Sequence, residues 1–339
     1  MHTSSYTAAV AEAQLTARLV FSLVGRELAL VEEEFERQAR SNIQVISYIG
    51  DYLRESGGKR VRPALTVLSA YATGGDAARP NVIRMATVME FLHTATLVHD
   101  DIIDNAATRR NRPSINSRFG NQTAVLMGDW LYMSAFETSL GERSLPVLDI
   151  LTAVTRSMTE GELIQLMLIG RPDISEAQYF DVLQRKTAHL FSACCEIGAI
   201  LAAAAPREQE ALREFGLCLG TAFQLVDDLL DFTSHDDALG KAAGVDLTEG
   251  KMTLPVIYLL EEDARWRPSV QAVMREGNYD EVSRAALLDA AARTGAIDKA
   301  RARASEYAAR AQRALDALPD TKYREALLSI PTYILERES

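Results

Sequence analysis

The sequence predicts an all-α fold, a single bundle of about ten or more helices around one central cavity. Apolar residues recur at helical spacing through most of the 339 residues, and strand-like alternation is scarce. Only 10 Pro and 19 Gly interrupt a chain rich in Ala, Leu, Glu and Arg, residues that cost little in a helix. Two acidic pentapeptides of identical spacing, Asp100-Asp101-Ile102-Ile103-Asp104 and Asp227-Asp228-Leu229-Leu230-Asp231, sit near the C-terminal ends of two predicted helices. In a bundle those ends can face each other across a cavity.

Taken in order, residues 5–40 read as one amphipathic helix or two and carry the acidic run Glu32-Glu33-Glu34. Breaks follow at Ser56-Gly57-Gly58, Thr73-Gly74-Gly75, Asn111-Arg112-Pro113, Gly170-Arg171-Pro172, Ala205-Pro206, Gly240 to Gly250, Arg267-Pro268 and Gly277-Asn278. The segments between them are long enough for helices of three or more turns. Pro331 interrupts a final segment that otherwise reads as helix. No break is long or polar enough for an interdomain linker, and no repeat of fixed period occurs. One domain over 1–339 is expected, with an N-terminal helical segment at 1–40 and a core at 45–339.

Hydrophobic residues make up 47% of the chain, enough for a large core. A net charge of −11 argues against nucleic acid as a partner. Cys194, Cys195 and Cys218 lie in apolar stretches without metal-ligand spacing and read as core thiols of a cytoplasmic protein. No apolar run is long enough to span a bilayer, and the N-terminus lacks a signal-peptide core. Membrane contact, if any, is expected to be peripheral.

The acidic pentapeptides carry the chemistry. Helix positions i and i+4 lie about 40° apart around the axis, so Asp100 and Asp104 share a face, as do Asp227 and Asp231. Their flanks are apolar, and buried unpaired carboxylates are costly. A hard divalent cation removes the conflict, and Mg²⁺ takes one or two carboxylates together with waters and substrate phosphate oxygens. Cations able to hold such a phosphate are present. Gly57-Gly58-Lys59-Arg60-Val61-Arg62-Pro63 offers Lys59 and Arg62 ahead of a helix that Pro63 can open. Arg109 and Arg110 follow Asp104 within one loop, and guanidinium forks grip phosphate bidentately. His93 lies two turns before Asp100 and is expected to hydrogen-bond a phosphate. Further along come Lys186-Thr187, Gln224, and a Gly-bounded loop carrying Lys241 and Lys251. No pattern suggesting a nucleophilic Ser or Cys is present.

At these residues the chain resembles the trans-polyprenyl diphosphate synthases, from about residue 45 to the C-terminus. The likeness includes Gly57 to Pro63, Glu90-Phe91-Leu92-His93, His99 to Asp104 with Arg109-Arg110, Phe119-Gly120-Asn121, Gly128-Asp129, Glu160-Gly161-Glu162 with Gln165, Lys186-Thr187, Phe223 to Asp231, and Asp246 to Pro255. It implies the isoprenoid synthase fold, a homodimer, and condensation of isopentenyl diphosphate with an allylic diphosphate. It also implies three Mg²⁺ held by Asp100, Asp104 and Asp227, with Asp101, Asp228 and Asp231 acting through water or from behind. Arg109, Lys186, Thr187, Gln224, Lys241 and Lys251 would contact the allylic substrate or its covering loop; Lys59, Arg62, His93 and Arg110 would hold isopentenyl diphosphate. Apolar helices such as 121–140 are compatible with the dimer.

Product length in the resembled family depends on what blocks the tunnel below the first motif. Thr96, Ala95, Leu92 and Met89 precede Asp100 on one flank of its helix, and the first two are small. A long product is therefore expected, octaprenyl-like and destined for a quinone side chain, with Ala95→Phe expected to shorten it. The alternatives are a geranylgeranyl or farnesyl diphosphate synthase and, from other classes, a terpene cyclase or a non-catalytic helical scaffold. The second Asp-rich motif and the Lys59/Arg62 pair disfavour the cyclase, and a scaffold leaves the pairing of acidic and basic clusters unexplained.

Overall fold

The computed structural model describes residues 17–55, 57–77, 79–233 and 243–336. As expected, the described chain is helical almost throughout. The N-terminal part forms α1 (Ala17–Ser22), α2 (Gly25–Ala39) and α3 (Gln44–Glu55), followed by α4 (Val61–Ala72) and α5 (Pro80–Ile103). A hairpin of two-residue strands, β1 (Thr108–Arg109) and β2 (Arg112–Pro113), leads to α6 (Ile115–Phe119), α7 (Asn121–Leu140) and α8 (Leu145–Leu168). Next come α9 (Glu176–Leu183), a π-helical turn at Gln184–Ala188, α10 (His189–Leu201) and the long α11 (Pro206–Thr233). The remainder is α12 (Val245–Thr248), α13 (Leu254–Glu262), α14 (Arg267–Glu276), α15 (Arg284–Arg293), α16 (Ala296–Ala314) and α17 (Lys322–Leu335).

Local chemistry explains most boundaries. Proline opens α5, α8, α13 and α14 in the first turn, where a missing N–H costs nothing. Ser175 and Gln178 form a reciprocal capping box on α9. The hairpin turn has Arg110 and Asn111 both at positive φ, 51° and 60°, the conformation a two-residue turn needs to match strand twist. Two expectations are corrected. Pro63 does not open its helix: α4 begins at Val61, because Arg60 takes a left-handed cap conformation and the helix starts immediately after it. The final helix also runs through Pro331, since Ala326, Leu327, Pro331 and Ile334 are buried together and tertiary packing outweighs the local penalty.

The buried apolar residues form one connected cluster from Val20 to Ile334. Within it α5 packs along α7, while α11 packs against α10 and α16. The α10–α11 approach depends on Gly220, where an added Cβ would stand 2.7 Å from the Ala188 Cα and 2.9 Å from the Phe191 Cβ. That close contact seats the π-helical turn against α11. All three cysteines are free and buried; burial pushes the Cys194 and Cys218 thiols up to about 12, which suits inert core groups.

Candidate active site

A cavity of about 790 Å³ lies beside α4, α5, α8, α9 and α11 and is also lined by residues 250–253. α5 lines it with Glu90, His93, Thr96, Leu97 and Asp100, a single stripe at helical spacing. α11 supplies Phe223, Gln224, Asp227 and Asp228. The two acidic helix ends therefore border one cavity.

Their six aspartates fall into different environments. Asp100, Asp227 and Asp228 line the cavity. Asp104 caps α5 at the rim, with its side chain 32% exposed and Lys251 at 3.3 Å. Asp101, a residue further round the helix than Asp100, turns away from the cavity, is buried, and pairs with Arg109 at 2.7 Å. Asp231 is buried behind Asp228 and accepts the Asp246 backbone N–H at 3.2 Å. Asp228 accepts from the Tyr179 hydroxyl at 2.6 Å and from Gln224 Nε2 at 2.8 Å; Thr187 donates to the other end of the Gln224 amide at 2.9 Å.

Burial, with Glu162 and Asp104 nearby, raises Asp100 to about 6 despite the opposing Lys186. Asp228 is raised to about 6 by burial, with Asp227 and Asp231 adding to the effect. Asp246 reaches about 8, chiefly through burial and then through Asp228 and Asp231. Desolvated acids crowded this way are suited to a divalent cation, which removes the mutual repulsion. Among the described residues no three His, Cys, Asp or Glu side chains converge to hold a metal by themselves. Oxygen donors from a diphosphate would complete the coordination that Mg²⁺ requires, so the donor set fits that ion in the presence of its anionic partner.

The opposite charge comes from Lys59, Arg60, Arg62, Arg109, Arg110, Lys186 and Lys251, all bordering the cavity. Arg62 lies over the Phe191 ring at 5.0 Å, and its buried Nε has no hydrogen-bond partner, a donor suited to an anion. Burial, reinforced by Arg62 and Arg110, drives His93 well below the usual imidazole value, so a neutral ring faces the cavity. Lys186 pairs with Glu162, and Lys251 bridges Asp104 and Glu249. The π-helical turn carries Lys186 and Thr187 into the wall together. Gly161 of α8 lies directly behind it, where a Cβ would come within 2.7 Å of the Arg185 Cβ and 3.0 Å of the Lys186 Cγ.

A profile of the polyprenyl synthetase family matches residues 43–289. The chain belongs to the polyprenyl synthetase family. It is 39% identical over 319 residues to the octaprenyl diphosphate synthase of Escherichia coli, covering 93% of this chain and 97% of that one. Its structure is similar to a polyprenyl synthase from Caulobacter crescentus complexed with calcium and isoprenyl diphosphate, with TM-score 0.88, 34% identity, and coverage of 94% and 97% of the two chains. A decaprenyl diphosphate synthase from Rhodobacter capsulatus matches with TM-score 0.88 and 33% identity, over 94% of this chain and 99% of that one. The isoprenoid synthase fold expected from the sequence is thus present. Family members are prenyltransferases that use isopentenyl and allylic diphosphates and Mg²⁺.

The structure brings most of the expected residues to the cavity: Asp100, Asp227, Asp228, Arg109, Lys186, Thr187, Gln224, Lys251, Lys59, Arg62, His93, Arg110 and Thr96. Lys241 lies outside the described residues. Of the four residues expected to limit product length, Thr96 lines the cavity. Ala95, Leu92 and Met89 are fully buried and are not among the cavity-lining residues, because the α5 stripe that faces the cavity runs through Thr96 and Leu97. Sequence reasoning missed Tyr179 and the Arg60–Glu90 ion pair at 2.7 Å. Nothing in the sequence near Tyr179 signals its role. Leu97 could have been found, since it continues the Glu90-His93-Asp100 spacing.

Proposed function

We propose that this chain condenses isopentenyl diphosphate with an allylic diphosphate to build a long all-trans polyprenyl diphosphate, octaprenyl as the central expectation, for a quinone side chain. The cavity carries the reading: carboxylates from two helix ends border it together with seven Lys and Arg side chains. The identity to an octaprenyl diphosphate synthase supports the length, and a relative of the same fold in complex with calcium and isoprenyl diphosphate supports a site for a diphosphate and a divalent cation.

Asp100, Asp104 and Asp227 are the proposed ligands of three Mg²⁺, which when bound would neutralise charge on the departing diphosphate. Gln224 and Tyr179 orient Asp228 behind them. Lys186 and Lys251 have carboxylate partners, Glu162 and Asp104, that they can exchange for diphosphate oxygens. Lys59, Arg62 and Arg110, with a neutral His93 as hydrogen-bond donor, hold the isopentenyl diphosphate so that its double bond faces the allylic carbon. Loss of the allylic diphosphate leaves a cation at that carbon; the double bond attacks it, and a proton then leaves, with the released diphosphate as acceptor. The residues at 250–253 help exclude water from the reacting carbon. The chain acts as a single domain and as a cytoplasmic homodimer. Dimerisation is supported by unpartnered apolar side chains on α7 and α8: Leu126 is 68% exposed, Met133 62%, Leu163 58% and Met167 76%.

Incubation with Mg²⁺, isopentenyl diphosphate and farnesyl diphosphate, followed by sizing of the dephosphorylated products, tests the reading. Octaprenol is expected. A ladder ending at geranylgeraniol refutes the long-chain assignment. Asp100→Ala should lower turnover by about 10²–10³-fold, and unchanged turnover in that variant refutes the metal assignment.

A further inference from the structure

We propose that Arg60 is a positioning residue for the isopentenyl diphosphate subsite, where it neutralises Glu90 within the cationic wall and ties that wall to helix α2 through Glu32. The inference rests on the reading of the cavity given above. Glu90 is a carboxylate on the same α5 stripe as His93, bordering the cavity beside Lys59, Arg62 and Arg110. Its side chain is only 5% exposed. Uncompensated, it would oppose the binding of a diphosphate by the very cations that surround it.

Arg60 provides the compensation and is built for it. Its Nη1 donates to Glu90 Oε1 at 2.7 Å, while its other edge grips Glu32 through Nη2 at 3.1 Å and through Nε. The fork therefore spans two acids from two helices, one at the cavity and one at the outer side. The guanidinium also lies 5.8 Å from the Phe35 ring centroid, on the same helix as Glu32. Holding these partners puts Arg60 in a left-handed conformation, φ 46° and ψ 38°, which a non-glycine residue adopts only under constraint. Gly58 leaves the room required: a Cβ there would lie 2.9 Å from Arg110 Nη1 and 3.1 Å from Arg60 Nη1. The loop thus commits the Arg60 guanidinium to protein acids, although Arg60 also borders the cavity, and leaves Lys59 and Arg62 facing the same space. The family profile begins at residue 43, so Glu32 and α2 lie outside the matched region yet reach this subsite.

A charge-balance experiment separates this role from a structural ion pair. Steady-state kinetics are measured with each substrate varied in turn, alongside thermal unfolding of every variant. Arg60→Gln is expected to raise KM for isopentenyl diphosphate about ten-fold, with the allylic KM changed less than about two-fold. Adding Glu90→Gln to Arg60→Gln removes the exposed charge and should bring that KM back to within about three-fold of wild type. Glu32→Gln, at a position 38% exposed, should give a smaller rise in the same KM. Arg60→Lys keeps the charge without the fork and serves if Arg60→Gln does not fold; its rise should also be confined to isopentenyl diphosphate. Equal effects on both KM values, a change in kcat alone, or a double variant no better than the single overturn the proposal while the synthase reading stands. A wild-type protein that consumes neither diphosphate overturns both.

Discussion

Gly161→Ala should separate activity from stability. In the middle of α8, exchanging glycine for alanine ought to help the helix by about 0.5–1 kcal/mol. The new methyl carbon, however, would lie 2.7 Å from the Arg185 Cβ, 3.0 Å from the Lys186 Cγ and 3.1 Å from the Lys186 backbone nitrogen. Ordinary contact begins at 3.4 Å, so the π-helical turn must retreat by roughly 0.7 Å. Overpacking of this kind costs about 1–3 kcal/mol, and the helix gain offsets part of it. A net loss of about 0–2.5 kcal/mol moves the melting temperature of a chain this long by only a few degrees. The retreat acts directly on Lys186 and Thr187 in the cavity wall, where a misplacement approaching 1 Å can cost about 10²-fold in rate. The expected result is a folded protein, with near-native far-UV circular dichroism and melting temperature, whose kcat falls about ten- to a hundred-fold. Incorporation of labelled isopentenyl diphosphate and calorimetry on the same samples measure the two quantities. A kcat within two-fold of wild type would refute the claim that α8 sets the position of Lys186.

Tyr179→Phe removes the hydroxyl that donates at 2.6 Å to the buried Asp228. Chemical denaturation should show a loss of about 1.5–3 kcal/mol, the scale of a hydrogen bond to a charged group, and an unchanged midpoint would count against it. Thr96→Phe places an aromatic ring at the cavity wall and should shorten the product by whole isoprene units, whereas Ala95→Phe intrudes on a fully buried position and should cost about 1–3 kcal/mol of stability instead. Product sizing and denaturation on the two variants decide between them. His93 is held neutral in the folded protein while its unfolded counterpart protonates near 6.5, so the unfolded state takes up a proton that the native state refuses. Stability should accordingly fall as pH drops below about 6.5, by up to about 1.4 kcal/mol per pH unit from this group, and His93→Gln should flatten that slope. Equal slopes for wild type and His93→Gln between pH 7 and 5.5 would refute it.

The sequence by itself determined the helical class, the two acidic helix ends, the basic Gly57–Pro63 turn and the family likeness. Each of these is local: i to i+4 spacing, break residues and adjacent charges are written within a few turns of chain. It also placed Asp100 and Asp227 at a common cavity, since the acidic ends of two packed helices can meet there. Only the tertiary structure sorted the aspartates, sending Asp101 to Arg109 and Asp104 to Lys251, a partner 147 residues away. Tyr179 joins the site across 49 residues, and Gly161 acts through a π-helical turn that no composition rule marks. The same holds for Arg60, whose partners Glu32 and Glu90 lie 28 and 30 residues from it on separate helices. A charge pattern names the groups that want partners; which partner each receives depends on how the helices pack, and that contact geometry exists only once the chain has folded.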